Sequence, residues 1–181
     1  MSNPGDLASV EPPEHASTDT SVAEYPPGYP HEWAADVLGS DGRAVRIRPV
    51  LPDDAAKIAQ FHSSLSERTR YLRYFGSRDV LTDKELRRMT HVDYRDRMAF
   101  VAELGAEIIG MAIYERLPNS SFAEVAFTIS DQHQGRGLGS IFLEHLAGAA
   151  AECGIGHCEA GVVSENWSVI QVFRRAGYEI S

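Results

Sequence analysis

The sequence predicts a mixed α/β (α+β) domain in which a mostly antiparallel central sheet is flanked by helices. Three segments with the alternating pattern typical of strands follow one another between residues 98 and 130. Helices are predicted before them, over 52–90, and after them, over 137–176, with one more strand between the last two helices. With 181 residues, 43% of them hydrophobic, the chain can form one core, so we expect a single domain with an appendage.

The appendage is the N-terminal segment. Residues 1–40 contain six of the nine prolines and seven acidic residues but no lysine or arginine. Such a composition buries too little apolar surface to offset the entropy of ordering. We therefore predict a disordered, acidic, proline-rich tail over 1–40 and the folded domain over 41–181. The alternative for the end of the tail is a short arm that docks on the domain through Tyr29, Trp33, Val37 and Leu38.

Charge and hydropathy argue against two classes of partner. The chain carries 17 basic and 26 acidic residues, and the 19 acidic residues outside the tail nearly balance the 17 basic ones. No basic surface for nucleic acid is predicted, and we find neither a leader nor an apolar run long enough to cross a bilayer. We expect a soluble, cytoplasmic protein that binds neither nucleic acid nor membrane.

The first strand and three helical segments are predicted between residues 43 and 90. Apolar and basic residues alternate over 43–49, which is typical of a strand. A proline and two aspartates begin a helix with one apolar face over 51–65. Residues 66–75 predict a second, short helix. Thr82 and Glu85 have the spacing of a capping box, which predicts the start of a third.

The next strands form a meander. Residues 98–104 and 107–115 are predicted to pair as a hairpin around Gly105, and residues 121–130 predict a fourth strand.

The last three elements are a helix, a strand and a helix. The helix covers about 137–153 and stops at Gly154, residues 157–163 predict the fifth strand, and a final helix over 166–176 is capped by Gly177. Cys153 and Cys158 with the intervening His157 lack a second ligand pair, so we interpret the cysteines as packing residues and predict no metal site.

A glycine-rich loop precedes the helix at 137. Gly135, Gly137 and Gly139 leave backbone N–H groups open at a helix N-terminus, where they can bind phosphate oxygens, and Arg136 adds positive charge. The same glycines also fit a turn that needs positive φ. A dinucleotide fingerprint does not fit, because the glycines follow antiparallel strands, and a P-loop would need a lysine that is missing here.

The spacing Q-x-x-G-x-G from Gln134 to Gly139 resembles the coenzyme A pyrophosphate loop of the GCN5-related N-acetyltransferase (GNAT) family. The resemblance extends over residues 43–180, and "SENWSVIQVFRRAGYE" is similar to a later signature of the family. Residues 46–76 and 91–103 are most similar to the acetyltransferase domains of bacterial protein lysine acetyltransferases. Those domains are often fused to a synthetase-like domain, and they modify the active-site lysine of AMP-forming acyl-CoA synthetases.

The resemblance implies acetyl-CoA as cosubstrate, no metal, and a cofactor cleft where the fourth and fifth strands splay apart. Asn166 would hold the pantetheine arm, and Phe173 stands where many relatives have a tyrosine that protonates the leaving thiolate, so we assign no side-chain general acid. The fourth strand would bind the arm through Phe127, Thr128, Ile129 and Ser130, and the loop would bind the pyrophosphate through Gln134, Gly135, Arg136, Gly137, Leu138, Gly139 and Ser140.

Glu124 is the candidate general base. Direct transfer from a thioester to a lysine amine requires a deprotonated amine, so a base is useful near neutral pH. Glu124 lies between Ala123 and Val125 in an apolar strand, where burial would favour its role as a base, and protein-acetylating relatives carry a glutamate at this place. The alternative is a strand glutamate that faces solvent.

Two other functions stay open. A small-molecule amine acetyltransferase would need a concave acidic pocket, whereas basic residues on the helical region would suit an acidic patch around a target lysine or simply a solvated face; these residues are Arg68, Arg70, Arg73, Arg87 and Arg88. A non-catalytic acyl-CoA sensor is the second alternative. We also expect the domain to be truncated, with a short strand at Tyr178–Ile180 and a synthetase-like domain beyond it in a longer protein.

Overall fold

The computed structural model of the chain describes residues 25–74, 76, 79–162 and 164–177. Within these residues, six strands form one sheet in the order β1-β2-β3-β4-β5-β6. Neighbouring strands are antiparallel except for β5 and β6, which are parallel. The predicted mixed fold with a mostly antiparallel sheet is therefore confirmed.

The strands are β1 Ala35–Leu38, β2 Ala44–Pro49, β3 Arg97–Leu104, β4 Glu107–Arg116, β5 Phe122–Ile129 and β6 His157–Glu159. The helices are α1 Ala55–Ser64, α2 Glu67–Tyr74, α3 Asp83–Thr90, α4 Leu138–Glu152 and α5 Trp167–Arg175. Two of the predicted turn signals hold. The capping box of α3 forms between Thr82 and Glu85, and Gly105 turns the β3–β4 hairpin with a φ of 64°.

The domain begins earlier than predicted, because the end of the supposed tail is folded. Tyr29 is buried and donates a hydrogen bond to the Pro49 carbonyl at 2.9 Å. The Trp33 ring lies against Gly148 of α4, where a Cβ would come within 2.6 Å of it. Residues 35–38 then pair with β2 as β1. The arm thus docks through Tyr29, Trp33 and Val37, but Leu38 is 72% exposed. Residues 1–24 lie outside the described residues.

Two hydrophobic clusters hold the helices on the two faces of the sheet. Phe142 of α4 and Phe173 of α5 pack in one cluster with the sheet residues Phe100 and Tyr114. Helix α1 contributes Ile58 and Phe61 to the other, on the opposite face, and α3 packs beside it. This layered arrangement leaves the ends of β5 and β6 between α4, α5 and α2.

Strand β6, which the sequence predicted as the fifth strand, is shorter than expected. Only His157–Glu159 pair with β5, opposite Phe122–Glu124, whereas residues 157–163 were expected to form the strand. Residues 160–162 are irregular and line a cavity beside β5, and residue 163 lies outside the described part. The strands thus separate after three residue pairs, which is the predicted splay. The strand predicted at Tyr178–Ile180 also lies outside the described residues.

A half-buried ion network ties β2 to β3 and to the start of α1. The Arg48 guanidinium donates to Asp54 at 2.7 and 2.8 Å and to Glu103 at 2.7 and 2.9 Å. Lys57 adds a contact of 3.2 Å to Glu103. Burial acts to raise the pKa of Glu103, but the bonds and charges of Arg48 and Lys57 outweigh it and lower the pKa below its ordinary value of 4.5.

Because this pKa is lowered on folding, the stabilisation from Glu103 is present above its ordinary pKa and is lost as the pH falls through the folded value. We expect Glu103→Gln to reduce the free energy of unfolding at pH ~7 by about 1.5 to 3 kcal/mol, the usual contribution of hydrogen bonds to charged groups. Urea titrations should show this difference shrinking as the pH falls below the ordinary pKa of 4.5. A difference that does not change with pH would contradict the ionic role of Glu103.

Candidate active site

A cavity of about 550 Å³ opens where β5 and β6 separate. One wall is β5 from Glu124 to Ile129, another is the glycine loop with the start of α4, and a third is α5. Helix α2 supplies the remaining side through Arg68, Thr69, Leu72 and Arg73. The predicted cleft therefore exists, and it contains Glu124, Phe127, Thr128, Ile129, Gln134, Gly135, Gly137, Leu138, Gly139, Ser140, Asn166 and Phe173.

The glycine loop presents backbone to this cavity. Gly135 and Gly137 have φ values of 74° and 84°, and a Cβ at either would meet no atom within 4 Å. Gly137 is the N-cap of α4, a helix of 15 residues, and no side chain of the described residues caps this end. Open N–H groups and the positive end of the helix dipole suit a phosphate. The loop thus fits the phosphate-bearing part of coenzyme A.

Gly139 has a different structural role from the other two glycines. Its α-carbon faces the cavity wall, where a Cβ would lie 3.2 Å from Phe127 Cε2 and 3.2 Å from Val172 Cγ2. The absence of a side chain at residue 139 therefore lets the first turn of α4 lie close to β5 and α5 without displacing Phe127 or Val172. This close packing supports the shape of the cavity.

Two predicted site residues do not line the cavity. The Arg136 side chain turns away and donates to Asp41 Oδ2 at 2.6 Å, while its carbonyl accepts from the Ser40 N–H at 3.2 Å. Ser130 uses its backbone N–H to donate to the Ile109 carbonyl at 2.9 Å, and its hydroxyl contacts His133 at 2.7 Å. The β1–β2 turn thus engages Arg136, and β4 with His133 engages Ser130. The contacts of Arg136 with the phosphate and of Ser130 with the arm stay predictions.

The far wall of the cavity is apolar. Phe173 is buried and its ring centroid lies 6.0 Å from that of Phe127. At the mouth, the Asn166 side chain accepts a hydrogen bond from the Val169 N–H at 3.4 Å, so Asn166 caps α5 and also borders the cavity. With a hydrocarbon floor and a polar mouth, this wall matches the amide-bearing chain of coenzyme A.

Glu124 lies at the junction of two cavities. It borders the cleft described above and also a second cavity of about 290 Å³, lined by residues of α1, α3 and β4. Arg73, Ala126 and Thr128 also border both cavities. The expected burial of Glu124 is wrong, because its side chain is exposed on the cavity wall. The strand is apolar on both sides of it, but the sheet opens beside Glu124 instead of closing over it.

Three carboxylates share this face of the sheet. Glu124 pairs in register with Glu115 of β4 and with Glu159 of β6, and cross-strand partners point to the same side. Arg88 holds Glu115 at 2.5 and 2.6 Å, and Arg97 lies 3.7 Å from it. The three carboxylates therefore attract positive charge, and Arg88 and Arg97 of the domain supply part of it.

Arg73 also belongs to the site. The sequence predicted it only as part of a basic helix face. It borders both cavities, and its guanidinium carbon lies 5.0 Å from the centre of the Tyr74 ring. Burial lowers the pKa of Arg73, while the charge of Glu124 and the influence of Tyr74 act in the opposite direction. Arginine stays protonated in proteins, so a cation stands next to Glu124.

The predicted basic face of the helical region is only partly available to a partner. Arg70 donates to the Leu65 carbonyl at 2.5 Å, and Arg88 is engaged with Glu115. Arg68 and Arg87 are exposed, and Arg68 borders the cleft.

The described residues contain no cluster of His, Cys, Asp and Glu that could hold a metal ion, and Cys153 and Cys158 are free thiols there. Among the helices of the described part, none is long and apolar enough to cross a membrane.

Comparisons with known proteins agree with this geometry. The sequence profile of the acetyltransferase (GNAT) domain family matches residues 44–179. The acetyltransferase Pat of Mycolicibacterium smegmatis is 34% identical over 134 residues, which cover 72% of this chain and 40% of that protein. Acetyltransferase PA5475 of Pseudomonas aeruginosa is 33% identical over 118 residues, or 63% of each chain. The matched stretch thus covers less than two thirds of the length of either curated relative.

A solved structure shares both sequence and fold with the chain. The GNAT domain of S. lividans PAT superposes with a TM-score of 0.80 at 39% identity, covering 83% of this chain and 90% of that one. A similarity of this extent shows that the two chains share the same fold.

Proposed function

Because this chain belongs to the GNAT acetyltransferase family, whose members use acetyl-CoA, we propose that it transfers an acetyl group from acetyl-CoA to a lysine side chain of a protein, with an AMP-forming acyl-CoA synthetase as the first candidate. The observation that carries the proposal is the position of Glu124, which borders the cofactor cleft on one side and a second cavity on the other. The cleft would hold the thioester and the second cavity would admit the acceptor amine. A base between the two can take a proton from the amine as it attacks the thioester.

The roles of the cleft residues follow from their chemistry. The N-terminus of α4 and the open backbone at Gly135 and Gly137 would hold the pyrophosphate, and the exposed edge of β5 would hold the pantetheine arm. The thioester then lies against the apolar wall of Phe127 and Phe173, which excludes water from the acetyl group. Attack by the neutral amine forms the amide bond and breaks the carbon–sulfur bond, and the amine proton passes to Glu124. Coenzyme A leaves as the thiolate, which takes a proton from water.

The second cavity supports an amine at the end of an aliphatic chain. Its lining combines apolar side chains with the carboxylates of Glu115 and Glu124. The apolar residues are Ile58, Phe61, Met89 and Met111. A lysine side chain has four methylenes and one amine, so it can contact both surfaces. The exposed Arg68 at the edge of the cleft supports an acidic surface around the target lysine.

The test is mass spectrometry of purified AMP-forming acyl-CoA synthetases after incubation with acetyl-CoA and this chain. We expect one acetylated lysine, at the synthetase active site, and acetylation at least about 100-fold slower when the chain is replaced by its Glu124→Gln variant. A synthetase whose active-site lysine is replaced by arginine is the matched control. If no synthetase is acetylated while a panel of small amines is, the small-molecule activity is the correct one.

A non-catalytic acyl-CoA sensor gives a third pattern in the same experiment. Acetyl-CoA would bind, as measured by calorimetry, but neither proteins nor amines would be acetylated. The carboxylate at Glu124 favours catalysis over sensing. The cytoplasmic location and a fused synthetase-like domain stay predictions from the sequence.

A further inference from the structure

Helix α2 contributes to both cavities but has little core of its own. Its eight residues include no buried side chain. Even so, Arg68, Thr69 and Leu72 border the cofactor cleft, and Arg73 borders both cavities next to Glu124. Tyr74 packs on the second hydrophobic cluster at the C-terminal end of α2, so the placement of the N-terminal end depends largely on polar contacts.

Asp131 makes the contacts at the N-terminal end. Its Oδ2 accepts from the Ser66 N–H at 2.8 Å, and its Oδ1 accepts from the Ser66 hydroxyl at 2.6 Å and the Thr69 hydroxyl at 2.7 Å. Asp131 lies 65 residues later in the chain than Ser66, in the turn that joins β5 to the glycine loop. The Ser66 hydroxyl caps α2 by accepting from the Thr69 N–H at 3.2 Å, and Asp131 holds this cap from outside the segment.

The glycine loop adds a second connection. Gln134 donates to the Thr69 hydroxyl at 3.4 Å and to the Ile129 carbonyl at 3.0 Å. Thr69 therefore contacts both Asp131, the first residue of the turn at residues 131–133, and Gln134, which follows that turn. Any ordering of this loop is transmitted to the first turn of α2.

We propose that Asp131 is a positioning residue that couples acetyl-CoA on the glycine loop to the placement of α2, and through α2 to the placement of Arg73 beside Glu124. The inference rests on the proposed function only in that acetyl-CoA occupies the loop. Without Asp131, the loop and the helix would each keep their fold but would no longer move as one unit. Arg73 would then be placed beside Glu124 in a smaller fraction of the molecules.

Hydrogen exchange of the α2 amides tests the coupling without needing an acceptor. In the unmodified chain, saturating acetyl-CoA should slow exchange over residues 67–74 about tenfold, because ordering of the loop is passed to the helix. In Asp131→Ala, acetyl-CoA at the same occupancy should slow amide exchange over residues 67–74 less than about twofold. Calorimetry verifies that the two proteins are equally occupied. Asp131→Asn keeps an oxygen for the Ser66 N–H and should restore most of the response.

Asp79→Ala is the matched control. Asp79 lies 3.7 Å from Arg70 of α2, and within the described residues it forms no ion pair with the glycine loop. Its loss should therefore disturb the helix and leave the coupling in place. A response to acetyl-CoA that survives in Asp131→Ala, or that is missing in the unmodified chain, would overturn the inference. If Asp131→Ala does not fold, Thr69→Val removes the shared hydroxyl and should reduce the response in the same way.

The readout separates this inference from the proposed function. If the chain binds acetyl-CoA but acetylates no protein, the proposed lysine acetyltransferase function is refuted. The hydrogen-exchange data still test the coupling role of Asp131 in that case. Where an acceptor is established, Asp131→Ala should lower kcat about tenfold while the Kd for acetyl-CoA changes less than about threefold, since misplacement of a site wall affects the reacting geometry more than cofactor binding.

Discussion

Glu124→Gln is expected to lower the turnover of the acetyltransferase by about 10² to 10⁴ while leaving the Kd for acetyl-CoA within about threefold. The amide keeps the size and the strand position of Glu124 but cannot accept the amine proton. Glu124 is exposed at the junction of two cavities, so its role depends on position and not on burial. Steady-state kinetics and calorimetry on the same protein preparation measure the two quantities.

The pH dependence makes this prediction specific to a base. A lysine amine has an ordinary pKa of about 10.4, so the fraction of free amine rises as the pH rises towards that value. The deficit of Glu124→Gln should therefore shrink between about pH 7 and pH 10. Glu152→Gln, an exposed change at the last residue of α4, is the control and should behave like the unmodified chain. A deficit that is the same at all pH values would point to a role in orientation instead.

The parts of the fold that the sequence predicted well are those fixed by local chemistry. Hydrogen bonds within four residues define the capping box at Thr82, and positive φ defines the turn at Gly105 and the cap at Gly137. The order of strands and helices follows from periodicity, which is also local. The spacing of the glycines before α4 also predicted which segment forms one wall of the cleft.

Long-range contacts explain the corrections. Arg136 turns from the cleft to Asp41, a residue 95 positions earlier, and β1 forms in a segment of tail-like composition because β2 offers it a pairing edge. The exposure of Glu124 depends on where β6 leaves β5, and neither strand alone encodes that point. Arg73 was visible as a basic residue on a helix, but its place beside Glu124 depends on how α2 packs on the sheet.

Gly139→Val is expected to weaken acetyl-CoA binding at least ~100-fold, or about 2.7 kcal/mol, in a protein that stays folded. A Cβ at this position lies 3.2 Å from Phe127 and 3.2 Å from Val172, so the two methyl groups of valine must displace side chains of the cavity wall. Phe127 and Val172 both line the cleft, so their displacement changes the wall against which acetyl-CoA would lie.

The choice of Gly139 over its neighbours makes the result interpretable. Gly135 and Gly137 have positive φ, so a side chain there would strain the backbone whatever the cleft binds. Gly156→Val is the matched control, since Gly156 is exposed, has no atom within 4 Å of a Cβ, and does not border the cleft. Circular dichroism verifies the fold, and calorimetry measures the affinity. Because the first turn of α4 both packs on the wall and presents its N–H groups to the phosphate, an unchanged affinity in folded Gly139→Val would place acetyl-CoA away from the glycine loop.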